Sequence, residues 1–186
     1  MRNLAALALV LAACSCGRPK GDSFKPVAII EVPMRTNADH NDLITLMRRM
    51  AAANGMHVDD DSEEWAAFQR SFPHQPVDIR ATIDVGVWRG ATDDDFEASV
   101  SDMMHLGRAW VSFLQGGSAD LSADRRNEVL AQIKRRWPDS RRVPVLPSGG
   151  EPLAKDLRLT TEGYKIAASA GPSYGIPPGS PLLVRD

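Results

Sequence analysis

The chain has 186 residues, of which 43% are hydrophobic and 25% charged, a balance that suits one folded domain and argues against wholesale disorder. Its 22 basic and 24 acidic residues leave a net charge of −2 at pH 7, so a nucleic-acid partner has no electrostatic footprint to bind. Both cysteines, Cys14 and Cys16, lie near the start, which leaves the rest of the chain without a disulfide or a thiolate zinc site.

Met1–Ala13 carries one charge, Arg2, followed by an apolar run from Leu4 to Ala13. That run is too short to cross a bilayer core of about 30 Å as a helix, but it has the length of a signal-peptide core. It ends in Leu11-Ala12-Ala13-Cys14, which resembles the lipobox of bacterial lipoproteins. The resemblance covers only these first residues. It implies cleavage before Cys14, a diacylglycerol on the Cys14 sulfur and acylation of the new N-terminus. Two or three acyl chains, at about 0.8 kcal/mol per buried CH₂, give stable anchoring where one is marginal. Cys16 is a poorer acceptor, because Ala13-Cys14-Ser15 before it lacks the large apolar residue, here Leu11, that the lipobox carries. Ser15, rather than Asp, after the cysteine implies an outer-membrane address in a diderm cell. Ser15–Lys25 reads as a polar tether reaching at most roughly 35 Å. The expected organisation is thus a signal peptide over 1–13, a lipidated tether over 14–25 and one globular domain over 26–186.

Within the domain, Pro26–Pro33 is a short apolar run bounded by prolines and reads as a buried strand. Asn41–Asn54 has Leu43, Leu46, Met47 and Met50 at helical spacing, with Asn54-Gly55 as its stop and Arg48 and Arg49 complementing the negative end of the dipole. His57–Glu64 is acidic. Asp61 and Glu64 have the spacing of a capping box for a helix carrying Trp65, Phe68 and Phe72, although a strand is also compatible with this stretch. Val77–Trp88 alternates strictly between apolar and polar positions, which predicts a central strand with helices on its odd-numbered face.

Thr92 and Asp93–Asp95 read as the start of a helix to about Leu106, with Phe96, Val100, Met103 and Met104 inward. Trp110, Val111 and Leu114 would extend the helical stripe, but Gly107 interrupts it and Arg108–Leu114 has strand composition, so a strand is favoured there over a continued helix. Ser122–Arg136 reads as a helix with Val129, Leu130, Ile133 and Trp137 inward, ended by Pro138. Val143–Leu146 reads as a short strand, and Leu157–Ile166 suits a hairpin turning at Glu162-Gly163, although a short helix is also compatible with it. The Pro- and Gly-rich segment from about 148 to 186 is expected to wrap the domain as an irregular tail. The pattern predicts an α+β fold, a two-layer sandwich with one open sheet face in a ferredoxin-like arrangement, with a three-layer α/β fold as the alternative.

No residues are assigned to catalysis, a cofactor or a metal. His40, His57, His74 and His105 form no HExxH pair, and no GxSxG, SxxK or P-loop is present. The nearest constellation is Asp39-His40-Asn41-Asp42 with His57 and Asp59, but such groups at a helix start more often cap and solvate it. Asp59–Asp61 and Asp93–Asp95 lack the spacing of a calcium loop. Two features fit a partner-binding surface. One is the basic cluster Lys134, Arg135, Arg136, Arg141 and Arg142, although charges at a helix C-terminus also serve the dipole. The other is the even face of the alternating strand, with Arg80, Thr82, Asp84 and Trp88. The expected role is a lipid-anchored, non-enzymatic module that binds another protein in the cell envelope, of adaptor or toxin-immunity type. A hydrolase built around His40 and Asp59 and a purely structural lipoprotein are the alternatives.

Overall fold

The computed structural model describes residues 25–60, 82–87, 95–103, 107–116 and 120–186, together with Glu63, Ala67, Arg70 and Ser71. The lipobox, the tether up to Phe24, Val77–Ala81, Trp88 and the aromatic positions Trp65, Phe68 and Phe72 lie outside them, and Lys25 of the expected tether begins the first strand. A six-stranded sheet has the order β2-β3-β4-β5-β1-β6. Its strands are β1 (Lys25–Pro33), β2 (His57–Asp60), β3 (Thr82–Val87), β4 (Asp95–Met103), β5 (Arg108–Gly116) and β6 (Arg141–Val143). Every neighbouring pair is antiparallel. Helix α1 (Asn37–Asn54) follows β1, and α2 (Asp120–Arg136) joins β5 to β6. The strands β6-β1-β5-β4 with these helices have the order of a ferredoxin-like sheet, into which β2 and β3 are inserted between α1 and β4.

The start of α1 is fixed by a capping box. The Asp39 N–H donates to Thr36 Oγ1 at 3.2 Å, and the Thr36 N–H donates to Asp39 Oδ2 at 2.9 Å. This box sets the first turn at Asn37, four residues before the apolar periodicity begins at Asn41. Gly55, at φ 63°, closes the other end as anticipated. Arg48 and Arg49 lie before the last turn, which carries no basic residue, so they do not serve the dipole as expected.

Two expectations are corrected in the middle of the chain. Residues 95–103 form a strand and not a helix. Ala98 and Val100 are fully buried on the helix-covered face, while Glu97, Ser99 and Ser101 alternate with them, and every residue from Asp95 to Met103 pairs with β5. The period of two was present beneath the apparent helical stripe, and the neighbouring strand decided between them. Gly107, at φ 65°, makes the tight return to β5, where its carbonyl accepts the Met34 N–H at 2.8 Å. The alternating strand is also not central: β3 lies second from the edge, and β4 and β5 hold the middle. Strict alternation marks a strand with one covered face, whereas β5 is covered on both, with Trp110 and Ser112 on one side and Val111 and Phe113 on the other.

On one face of the sheet, Ile30, Val32, Ala98, Val100, Ala109, Val111 and Phe113 pack against Leu43, Met47 and Met50 of α1 and Val129, Ile133 and Trp137 at α2. The opposite face is not open along β1, β5 and β6. There the C-terminal segment forms a second sheet, β7 (Leu157–Thr160), β8 (Gly163–Ala167) and β9 (Leu183–Val184), in that order. Ile29, Trp110 and Val143 meet Leu146, Leu157, Ile166 and Ile176 across this interface. The expected hairpin forms, turning one residue earlier at Thr161-Glu162, but the tail is structured: β9 runs parallel to β8 and Ile176 is buried in the second core. Gly163 has φ 119°, a conformation that favours glycine, and a Cβ there would lie 3.0 Å from the Arg142 carbonyl, so the two sheets approach closely at this point.

One carboxylate ties the layers together. Glu31 on β1 is 9% exposed and accepts three hydrogen bonds. Arg108 Nη1 donates at 2.9 Å and Trp110 Nε1 at 3.1 Å to one oxygen, and Tyr164 of β8 donates its hydroxyl at 2.7 Å to the other. Burial, then the bond to Glu31, raises the Tyr164 pKa above the ordinary tyrosine value. A raised folded pKa stabilises the fold at neutral pH, and that contribution is lost as the pH rises through it. Tyr164→Phe is therefore expected to lower stability at pH 7 by about 1–2 kcal/mol and to flatten the alkaline decline in chemical denaturation. Tyr174, similarly raised by burial and Asp156, keeps that decline from vanishing. Equal alkaline slopes in variant and wild type would exclude Tyr164 as its source.

Candidate anion-binding groove

Helices α1 and α2 lie on the same sheet face, and each turns a second stripe toward the other above the core. On α1 the stripe is Asp42, Thr45, Leu46 and Arg49, at i, i+3, i+4 and i+7. On α2 it is Gln132, Arg135 and Arg136, at i, i+3 and i+4, with Trp137 after them. These side chains line a groove of about 330 Å³. Gln132 Nε2 meets Met50 Sδ at 3.0 Å, which joins the groove to the core beneath it.

Trp137 anchors one end of the groove. It is 5% exposed, its backbone N–H closes α2 on the Ile133 carbonyl at 2.7 Å, and its Nε1–H donates to Asp39 Oδ1 at 3.2 Å. Arg136 sits 5.8 Å from the indole centroid and pairs with Asp42. Partial burial opposes the charge on Asp39, but the bonds from Trp137, from the Thr36 hydroxyl and from the Thr36 and Arg35 N–H groups outweigh it. Its pKa is held below the ordinary aspartate value.

The other arginines differ in their partners. Arg48 pairs with Asp60 and Arg35 with Asp139. Arg49 and Arg135 are exposed, line the groove and have no hydrogen bond or ion pair with any described residue. Their planar guanidinium forks match carboxylate or phosphate oxygens, and they approach from different helices. Thr45 and Gln132 add neutral hydrogen-bonding groups between them. This arrangement can hold and orient an anion.

The structure divides the basic cluster read from the sequence. Arg135 and Arg136 enter the groove, whereas Lys134 donates to the Ser140 carbonyl and so closes the turn after α2. Arg141 and Arg142 are exposed on β6, outside the groove, with Arg141 opposite Glu31 in the register. Thr82 and Asp84 pair across the sheet with Ser101 and Ser99, and Asp84 with Asp59 on its other side, while Arg80 and Trp88 lie outside the described residues. His40 and Asp59 are not brought together. His40 stands in the first turn of α1, whereas Asp60, next to Asp59, pairs with Arg48, roughly 12 Å further along the helix. No group of three or more His, Cys, Asp or Glu side chains among the described residues could hold a metal ion.

Sequence reading missed Arg49, Asp42, Thr45, Gln132 and Trp137 as a group. The available signal was the second helical stripe beside each apolar one; only tertiary packing shows that the two stripes face each other. Because Asp39 both caps α1 and holds Trp137, its depressed pKa contributes stability that is lost as the pH falls through it. Asp39→Ala is expected to cost about 1–2 kcal/mol at neutral pH, measured by urea denaturation, with the gap to wild type closing in acid. A gap independent of pH would separate the loss from the charge of Asp39. No protein-family model and no curated protein matches this sequence.

Proposed function

We propose that this chain is a bacterial lipoprotein, anchored by acyl chains on Cys14, that acts as a non-enzymatic protein-binding module in the cell envelope, of adaptor or toxin-immunity type. In a diderm cell, Ser15 after the acylated residue directs it to the outer membrane, facing the periplasm. The reading of the N-terminus rests on Leu11-Ala12-Ala13-Cys14. The observation that carries the binding role is the pair of arginines, Arg49 and Arg135, in a groove where neither has a counter-charge among the described residues. The groove is framed by two helices that pack over one shared core, so its backbone frame is formed before a partner arrives, and the ordering left to binding is that of the arginine side chains.

Two measurements test the reading. Metabolic labelling with a radioactive fatty acid is expected to mark the wild-type chain and to leave Cys14→Ala unlabelled and released from membranes; equal labelling would remove the anchor. Chemical crosslinking in the native envelope is expected to recover one dominant protein partner with the wild type. Arg49→Glu with Arg135→Glu is expected to lose that partner, while the isolated variant unfolds within about 0.5 kcal/mol of wild type, as exposed substitutions do. Recovery of the same partner by the charge-reversed protein would place the interface elsewhere.

A further inference from the structure

The groove's chemistry identifies its occupant more closely. Resting on the protein-binding reading, we propose that the groove receives a short acidic segment of the partner polypeptide, about three extended residues long, whose side-chain carboxylates are gripped by Arg49 and Arg135.

The length follows from the helix that lines the groove. From Asp42 to Arg49 there are seven residue steps, about 10 Å of helix. An extended chain rises about 3.3 Å per residue, so three residues fill that span. The charge follows from the pairing. Arg136 is held by Asp42 and by the face of Trp137, which leaves Arg49 and Arg135 as the donors available to an incoming group. They come from different helices and so can take two carboxylates of one segment, or both oxygens of one. Leu46 and Trp137 supply apolar wall for the aliphatic part of an aspartate or glutamate side chain, which a bare inorganic anion would leave unused.

An anionic bilayer fits less well. A membrane surface senses the summed charge of the face laid against it, at about 1 kcal/mol per basic residue near the surface. Around this groove Arg35, Arg49, Arg135 and Arg136 are set against Asp39, Asp42 and Asp139, so the face as a whole is nearly neutral. The two uncompensated guanidinium groups belong to a recessed groove, where a side chain can reach them singly.

The test uses the full chain in a neutral detergent and a fluorescent, acetylated and amidated tetraglutamate, followed by polarisation. Saturable binding is expected, weakened about tenfold or more by Arg49→Ala with Arg135→Ala and unchanged by Arg185→Ala, an exposed position outside the groove. Tetraglutamine should not bind, and rising salt should weaken tetraglutamate. Unchanged binding in the double variant, with its circular dichroism intact, overturns the proposal. So does complete displacement by an equal concentration of inorganic phosphate, which would make the groove a free-anion site. Binding to phosphatidylglycerol vesicles that needs both arginines, without binding to the peptide, would overturn it in favour of a membrane surface. The crosslinking experiment fails separately: a partner recovered there with no tetraglutamate binding removes this chemistry alone, and peptide binding with no envelope partner removes the protein-binding role alone.

Discussion

Apolar side chains on both faces of β1 and β5 cannot be left against water on either side, and most of the architecture follows from that constraint. Ile30, Val32, Val111 and Phe113 require one covering layer, and Ile29 and Trp110 require another. At about 25 cal/mol per Å² of apolar surface, an exposed face of this kind would cost several kcal/mol, a large part of a domain's net stability. Helices α1 and α2 meet the first demand. The C-terminal segment meets the second, and so the Pro- and Gly-rich stretch is a working layer of the fold.

Glu31 shows how the second layer is held in register. A carboxylate in that interface would be costly alone, but its two oxygens are divided between Arg108 and Trp110 on the first sheet and Tyr164 on the second. The apolar contacts of Ile29, Val143 and Ile166 are tolerant of small slips; three donors converging on one side chain are not. Gly163 completes the arrangement by letting the backbone of β8 come down on Arg142.

Much of this could be read from the residues. The α+β class, β1, the body of α1 and α2 carry local signals that agree with their final state, while β5 and the β7–β8 hairpin took the strand form that was favoured over a competing helical reading. Residues 95–103 carried two periods at once, and the choice between them lay in β5, outside the window in which either period is visible. The position of β3 in the sheet was misread for a related reason: alternation reports how many faces of a strand are covered and says nothing of its order. The groove was legible only in halves. Arg135 and Arg136 stood out as a cluster because they are consecutive, whereas Arg49 looked like an ordinary helix-end cation until α2 was set beside it.

The same geometry separates what holds the fold from what is available for binding. Leu43, Met47, Met50, Val129 and Ile133 occupy the stripes that face the sheet, and Arg49 and Arg135 occupy the stripes beside them. Helical periodicity makes these sets adjacent without making them interchangeable, so the outer stripe can vary in charge while the inner one stays packed. Trp137 is the point where the two meet, buried in the core on one side and lining the groove on the other, with Asp39 linking it to the cap of α1. That link sets the order in which the groove is built: the cap starts α1, Asp39 of the cap holds the indole, and the indole positions Arg136 against Asp42. Arg136 is thereby committed within the domain, and the charge left for a partner resides in Arg49 and Arg135.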